Sequence, residues 1–141
     1  MNAAGLKEAG HTELDPNAAL PLLIQASCPV ENRPDGAPRL WGKLKIRLKS
    51  GSLSYSIYRK DWIEEPFNCN YELNPAYREK LEASGLKVGG ETPEGGTRII
   101  ELPGRPFFMG TGFLPQLSSE INKPHPLIVA WLEAAVKYKE K

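Results

Sequence analysis

The sequence predicts an α/β or α+β domain. Strand-like and helix-like segments mix along its 141 residues with no long block of either kind. Hydrophobic residues make up 40% and charged residues 25%, which is the ordinary range for a chain that buries a core. Thirteen prolines and thirteen glycines cut the chain into short elements, so many turns and few long helices are expected. The length suits one domain and would cramp a second.

Residues 1–20 carry weak helical signals and a turn at Asp15-Pro16. Pro21 to Ala26 is a short apolar run, either a strand or a buried connector. Pro29 to Pro38 is rich in turn formers and reads as a surface loop. Lys43 to Lys49 has the clearest period: Leu44, Ile46 and Leu48 alternate with Lys43, Lys45, Arg47 and Lys49, as in a half-buried strand. Its basic face is expected to be a solvated face or a charged edge strand, since no aromatic interleaving supports nucleic-acid binding. Ser52 is placed to cap a short helix over Leu53 to Tyr58. Asn74-Pro75 opens a second helix with Tyr77 and Leu81 one turn apart, and Gly85 supplies its left-handed stop. Leu86 to Val88 and Thr97 to Leu102 read as strands joined by a turn-rich hexapeptide, and Phe107 to Phe113 as a buried strand. A last helix spans Pro126 to about Tyr138, with Ile128, Trp131, Leu132 and Ala135 as an apolar stripe expected to pack in the core.

Formal net charge is +1, from 18 basic and 17 acidic residues, and offers no electrostatic footprint for nucleic acid or anionic lipid. No apolar run reaches the roughly 20 residues of a membrane span. The first ten residues lack the pattern of a cleaved leader, and two cysteines make neither a disulfide framework nor a four-ligand zinc site. A cytoplasmic setting without metal or cofactor is therefore expected, and no phosphate-cradling glycine loop contradicts it.

Residues 97–136, TRIIELPGRPFFMGTGFLPQLSSEINKPHPLIVAWLEAAV, resemble the closing segment of the amidotransferase domain of the CTP synthase family, a class I glutamine amidotransferase. Gly5 to Pro16, Lys49 to Leu53 and Tyr71 to Pro75 resemble further stretches of that domain in the same order. Cys28 in Ala-Ser-Cys-Pro-Val, Cys69 between two asparagines, and Phe113 to Ser119 are similar to a less-characterised branch, the CTP-synthase C-terminal-region-related proteins, which includes selenoproteins. The resemblance implies a partial flavodoxin-like domain over residues 1–141, a mixed sheet with flanking helices whose N-terminal half, bearing the nucleophile elbow, is absent.

That family attacks the glutamine side-chain amide with a cysteine thiolate, using a histidine as proton carrier and a glutamate to orient it. The resemblance puts Leu114 and Gln116 in the histidine and glutamate positions, and the nucleophile upstream of Met1. Leucine has no lone pair to take a proton, and glutamine has no charge to favour an imidazolium. No catalytic residue of the triad is intact. Pro66 to Tyr71 also lacks the basic residues the family carries there, so a glutamine carboxylate loses a charged partner.

Candidate ligand contacts that remain are Asn68, Asn70, Tyr71 and Glu72, for glutamine or a related small molecule. Cys69 is the candidate replacement nucleophile, although a small packed residue is the plainer reading. Cys28, Cys69 and His11 together suggest a redox or metal role only weakly, and His125 before Pro126 reads as a helix-entry residue. The expected function is that of a degenerate amidotransferase-like module, without glutaminase activity alone, acting by binding or regulation or forming part of a longer protein. One alternative is part of an enzyme of pyrimidine nucleotide synthesis whose nucleophile lies upstream or on a partner; another is a thiol module. A halved sheet should expose a strand edge and an apolar face, to be covered by a homodimer mate, the missing half or a partner chain.

Overall fold

The computed structural model describes residues 5–26, 41–68 and 70–140. They form two sheets and three α-helices. The larger sheet has five strands in the order β4-β3-β6-β7-β8, and every neighbouring pair runs antiparallel. Its strands are β3 (Trp41–Leu48), β4 (Trp62–Asn68), β6 (Lys87–Glu91), β7 (Thr97–Glu101) and β8 (Met109–Thr111). The smaller sheet is β1 (Ala9–His11), β2 (Leu20–Gln25) and β5 (Tyr71–Leu73), with β1 parallel and β5 antiparallel to β2. The α/β class therefore holds, with parallel pairing confined to one short pair.

β3 shows the alternation its sequence predicts. Leu44, Ile46 and Leu48 face inward and the basic side chains face water. It is not an edge strand, however: β4 pairs with it from Trp41 to Arg47 and β6 takes its other side. Lys45 lies opposite Glu64 and its ammonium sits 5.0 Å from the Trp62 ring centre, so neighbouring side chains absorb the basic face. Ile46, Leu48, Ile63, Ile99, Phe113 and Leu127 make the core, under α1 (Leu53–Tyr58) and α3 (Pro126–Lys139).

A helix of six residues does not hold itself in water. α1 is fastened by its neighbours. Ser52 caps it by accepting the Tyr55 N–H, and the buried Glu101 carboxylate accepts the Leu53 and Ser54 N–H groups, each at 2.7 Å. Ser54 Oγ also donates to Gly89 O at 3.2 Å. A Cβ at Gly89 would overlap Glu101 Oε1 and lie 2.7 Å from Ser54 Oγ, so only glycine allows β6 this close to the carboxylate.

The second helix forms as punctuated in the sequence. Asn74 caps a 3-10 turn over Pro75–Tyr77, α2 (Arg78–Ala83) follows, and Gly85 at φ +96° ends it. Glu91 joins this region to β3 through ion pairs with Lys49 and, at 3.2 Å, Arg78. Burial pushes the Glu91 carboxyl up, but Lys49 and Arg78 outweigh it and hold the group below the ordinary carboxylate range.

Other expectations need correction. The weak helical signals of residues 1–20 come to nothing among the described residues 5–20, where Ala9–His11 is a strand closed by the Asp15–Ala18 turn. Of the two readings of Pro21 to Ala26 the strand holds, with bounds Leu20–Gln25. The Phe107 to Phe113 strand shrinks to the half-buried Met109–Thr111. In α3 the predicted core stripe of Ile128, Trp131, Leu132 and Ala135 lies mostly outward: Trp131 is 54% and Leu132 50% exposed, Ala135 is exposed, and Ile128 is half-buried. The helix instead buries Leu127, while Ala130 and Ala134 line a cleft with Leu53 and Ile57 of α1. The expected Pro29 to Pro38 loop lies outside the described residues. No described helix is long and apolar enough to cross a membrane.

Glu101→Gln keeps one acceptor for α1 and loses the other. The expected result is a lower urea midpoint with unchanged slope, equivalent to about 1–3 kcal/mol. The Glu91 interaction has the opposite pH sense to a raised group. Its stabilisation is present above the ordinary carboxyl value of about 4.3 and is lost as pH falls through the lower folded value. The stability gap between the native chain and Glu91→Gln should be widest near neutral pH and shrink in acid.

Candidate functional site

The chain leaves β8 through the buried Phe113 and enters a 3-10 turn, Pro115–Ser118. Leu114 is half-buried and Gln116 is exposed, and the Leu114 N–H donates to Pro66 O on β4 at 2.9 Å. This backbone bond sets Leu114 beside β4, whose last residue is the ligand candidate Asn68. At Leu114 the surface offers a branched alkyl group and at Gln116 a neutral amide.

The four ligand candidates divide between the sheets. Asn68 ends β4 opposite Trp41 and is exposed. The Asn70 carbonyl accepts the Ala26 N–H at 2.7 Å. Tyr71 packs against His11, ring centres 4.5 Å apart, and Glu72 pairs with Arg98 at 2.9 Å. Tyr71, Glu72, His11 and Arg98 share the lining of a cavity of about 270 Å³ between β5 and the β7–β8 pair. Arg98 Nε is buried without a hydrogen-bond partner, whereas its Nη2 is engaged by Glu72. Glu72 is thus already neutralised by a fixed cation. Cys28 and Cys69 lie outside the described residues. Among the described residues no three His, Cys, Asp or Glu side chains gather as a metal site.

The most connected ionisable cluster was not predicted from sequence. Glu65 and His125, 4% and 3% exposed, meet at 2.9 Å between Oε1 and Nε2. His125 caps α3 by accepting the Leu127 N–H on Nδ1 at 3.2 Å. That bond assigns the proton to Nε2, which donates to Glu65. Tyr58 Oη donates to Glu65 Oε1 at 2.5 Å, and Ser118 Oγ donates to Oε2 at 3.1 Å. Burial pushes the Tyr58 phenol well above its ordinary value, and the Glu65 hydrogen bond and charge push it the same way. One signal for this cluster was available: strand alternation from Ile63 turns Glu65 inward, and a glutamate there needs donors around it. Near-complete burial leaves a substrate no approach to Glu65 or His125, so the cluster ties β4, α1, the 3-10 turn and α3 together.

Both of the chain's two histidines make side-chain hydrogen bonds. His125 is committed on both ring nitrogens, and His11 Nδ1 accepts the Glu13 N–H at 3.1 Å.

No protein-family model matches the chain. CTP synthase of Pelotomaculum thermopropionicum is 39% identical to it over 140 residues, covering 99% of this chain and 26% of that protein. CTP synthase of Staphylococcus aureus is 36% identical over 142 residues with the same coverage, 99% and 26%. The chain thus spans 26% of the length of these curated relatives. Its fold is that of part of a glutaminase domain. The Trypanosoma brucei CTPS glutaminase domain, solved with acivicin bound, superposes with a TM-score of 0.86 at 24% identity, over 96% of this chain and 53% of that one.

Tyr58 sets a measurable limit at high pH. Its raised folded value means the stabilisation is present below the ordinary phenol value of about 10 and is lost above it. Of the five tyrosines, Tyr58 should stay protonated in alkali until the chain unfolds. Native-state ionisation followed by near-ultraviolet absorbance should therefore have the same amplitude in Tyr58→Phe.

Proposed function

We propose that this partial glutamine amidotransferase-like domain, related to that of CTP synthase, does not hydrolyse glutamine and acts by binding another polypeptide. The observation that carries this reading is the segment Leu114-Pro115-Gln116, which holds the positions the family resemblance gives to the proton carrier and its orienting acid. A thiol attack on an amide needs a group to take the thiol proton and return one to the departing ammonia. Leu114 has no atom for either transfer. Gln116 hydrogen-bonds but adds no negative charge, so a histidine brought nearby would lack the electrostatic support that favours its charged form. His125, bonded through both ring nitrogens, supports the same reading.

The ligand candidates also favour binding over turnover. Glu72 faces Arg98 rather than an open charge site, and Asn68 and Asn70 replace cations with neutral amides.

The test is ammonia release from L-glutamine by the purified chain. Release is expected to equal the protein-free blank. Ammonia production that disappears in Cys69→Ser would sink the proposal and make Cys69 a replacement nucleophile.

A further inference from the structure

One cleft lies away from the amidotransferase positions. It opens where β7 ends at Glu101 and residues 102–106 lead back toward β8, whereas Leu114 follows the other end of β8. The turn before α1 and the start of β6 form its remaining walls. Its volume of about 500 Å³ is that of a small-molecule site. Gly51 and Gly104, at φ +80° and +78°, make two turns of its rim, so the backbone sets the shape before any ligand arrives.

The charge of the cleft is cationic and largely unanswered. Lys87 and Arg105 are exposed in its wall, and neither has an ion-pair partner among the described residues. Lys49 stands beside them with its ammonium shared with Glu91. The carboxylate in the wall, Glu101, is turned to the Leu53 and Ser54 N–H groups and is 4% exposed. Lys87 lies opposite it across the β6–β7 ladder without pairing with it. Two uncompensated cations match a phosphomonoester, with about −1.5 to −2 charges at neutral pH, better than a singly charged carboxylate. Arg105 offers two oxygens a planar fork, and Lys87 adds a point charge. Leu53, Val88, Leu102 and Pro106 make the rest of the wall apolar, which suits an organic body attached to the phosphate.

We propose that this cleft binds a small organic phosphate, with the phosphoryl group held by Arg105 and Lys87 and the body lying against Leu53 and Leu102. The site uses neither Leu114 nor Gln116 and none of the ligand candidates of β4 and β5. It therefore goes beyond the loss of glutamine hydrolysis and is tested independently of it.

The test is a titration of the purified chain with phenyl phosphate, followed by the backbone amide signals in nuclear magnetic resonance. Shifts are expected at Gly51, Lys87 and Arg105 and not at Gln116. Phenol has the body alone and inorganic phosphate the charge alone, and each should bind at least about tenfold more weakly than the two joined. Lys87→Glu and Arg105→Glu should each weaken phenyl phosphate by at least about tenfold. Lys43→Glu makes the same change of charge on the exposed face of β3, outside the cleft, and should leave the affinity unchanged. Far-ultraviolet dichroism of the three variants reports whether each has folded. A titration without shifts overturns the proposal. So does an equal loss in Lys43→Glu, which makes the attraction one of net charge alone, or phenol that binds as tightly as phenyl phosphate.

Discussion

Taking a carboxylate out of water costs several kcal/mol unless hydrogen-bond donors replace the lost hydration. Glu65 meets that requirement with three partners from three parts of the chain: Tyr58 on α1, Ser118 on the 3-10 turn and His125 at the head of α3. None of the three is near Glu65 through regular secondary structure, so the acid is satisfied only when all three elements are in place. The cluster therefore makes their arrangement on β4 cooperative. Truncating any donor leaves a buried acceptor short of a partner, which costs more than an ordinary surface hydrogen bond returns.

Glu101 applies the same constraint on the other side of α1. It holds the helix by its first N–H groups, while Tyr58 near the last turn is held by Glu65. A short helix with weak intrinsic stability is thus fixed at both ends by buried acids on different strands. Gly89 belongs to the same arrangement, since its bare backbone makes room for the Glu101 carboxylate. Apolar burial of Ile46, Ile99 and Leu127 supplies the bulk of the driving force, and the two acids decide where the helices sit.

Features set by local chemistry were legible in the sequence. The alternation of β3, the Ser52 and Asn74 caps and the Gly85 stop depend on residues within a few positions, and each appears where expected. β1 was not legible, because three residues become a strand only by pairing with Leu20–Leu23. α3 shows a different limit. Periodicity finds the stripe through Trp131 and Leu132 without saying whether it goes inward. The face with Ala130 and Ala134 lies toward α1, where small side chains permit close approach, and the bulkier Trp131 and Leu132 stay outside. The Glu65 cluster was hidden for a related reason: its members are up to 67 positions apart. Leu114 and Gln116 meant something only against a family pattern, since a leucine and a glutamine after a strand carry no signal alone.

These constraints separate what holds the scaffold from what would run the chemistry. Glu65, Tyr58 and His125 are tied to one another in the interior, so a change at any of them is felt by two helices and a strand. Leu114 and Gln116 lie at a surface turn where the fastening contact is a backbone N–H, which any residue other than proline supplies. A side chain there can change without disturbing the core. The same logic applies to β8 and the outer face of α3, whose apolar side chains add little to the core they border. Trp131, Leu132 and Val136 each leave about half of their surface in water on the outer face of α3, so a change there costs less folding stability than one at the buried Leu127.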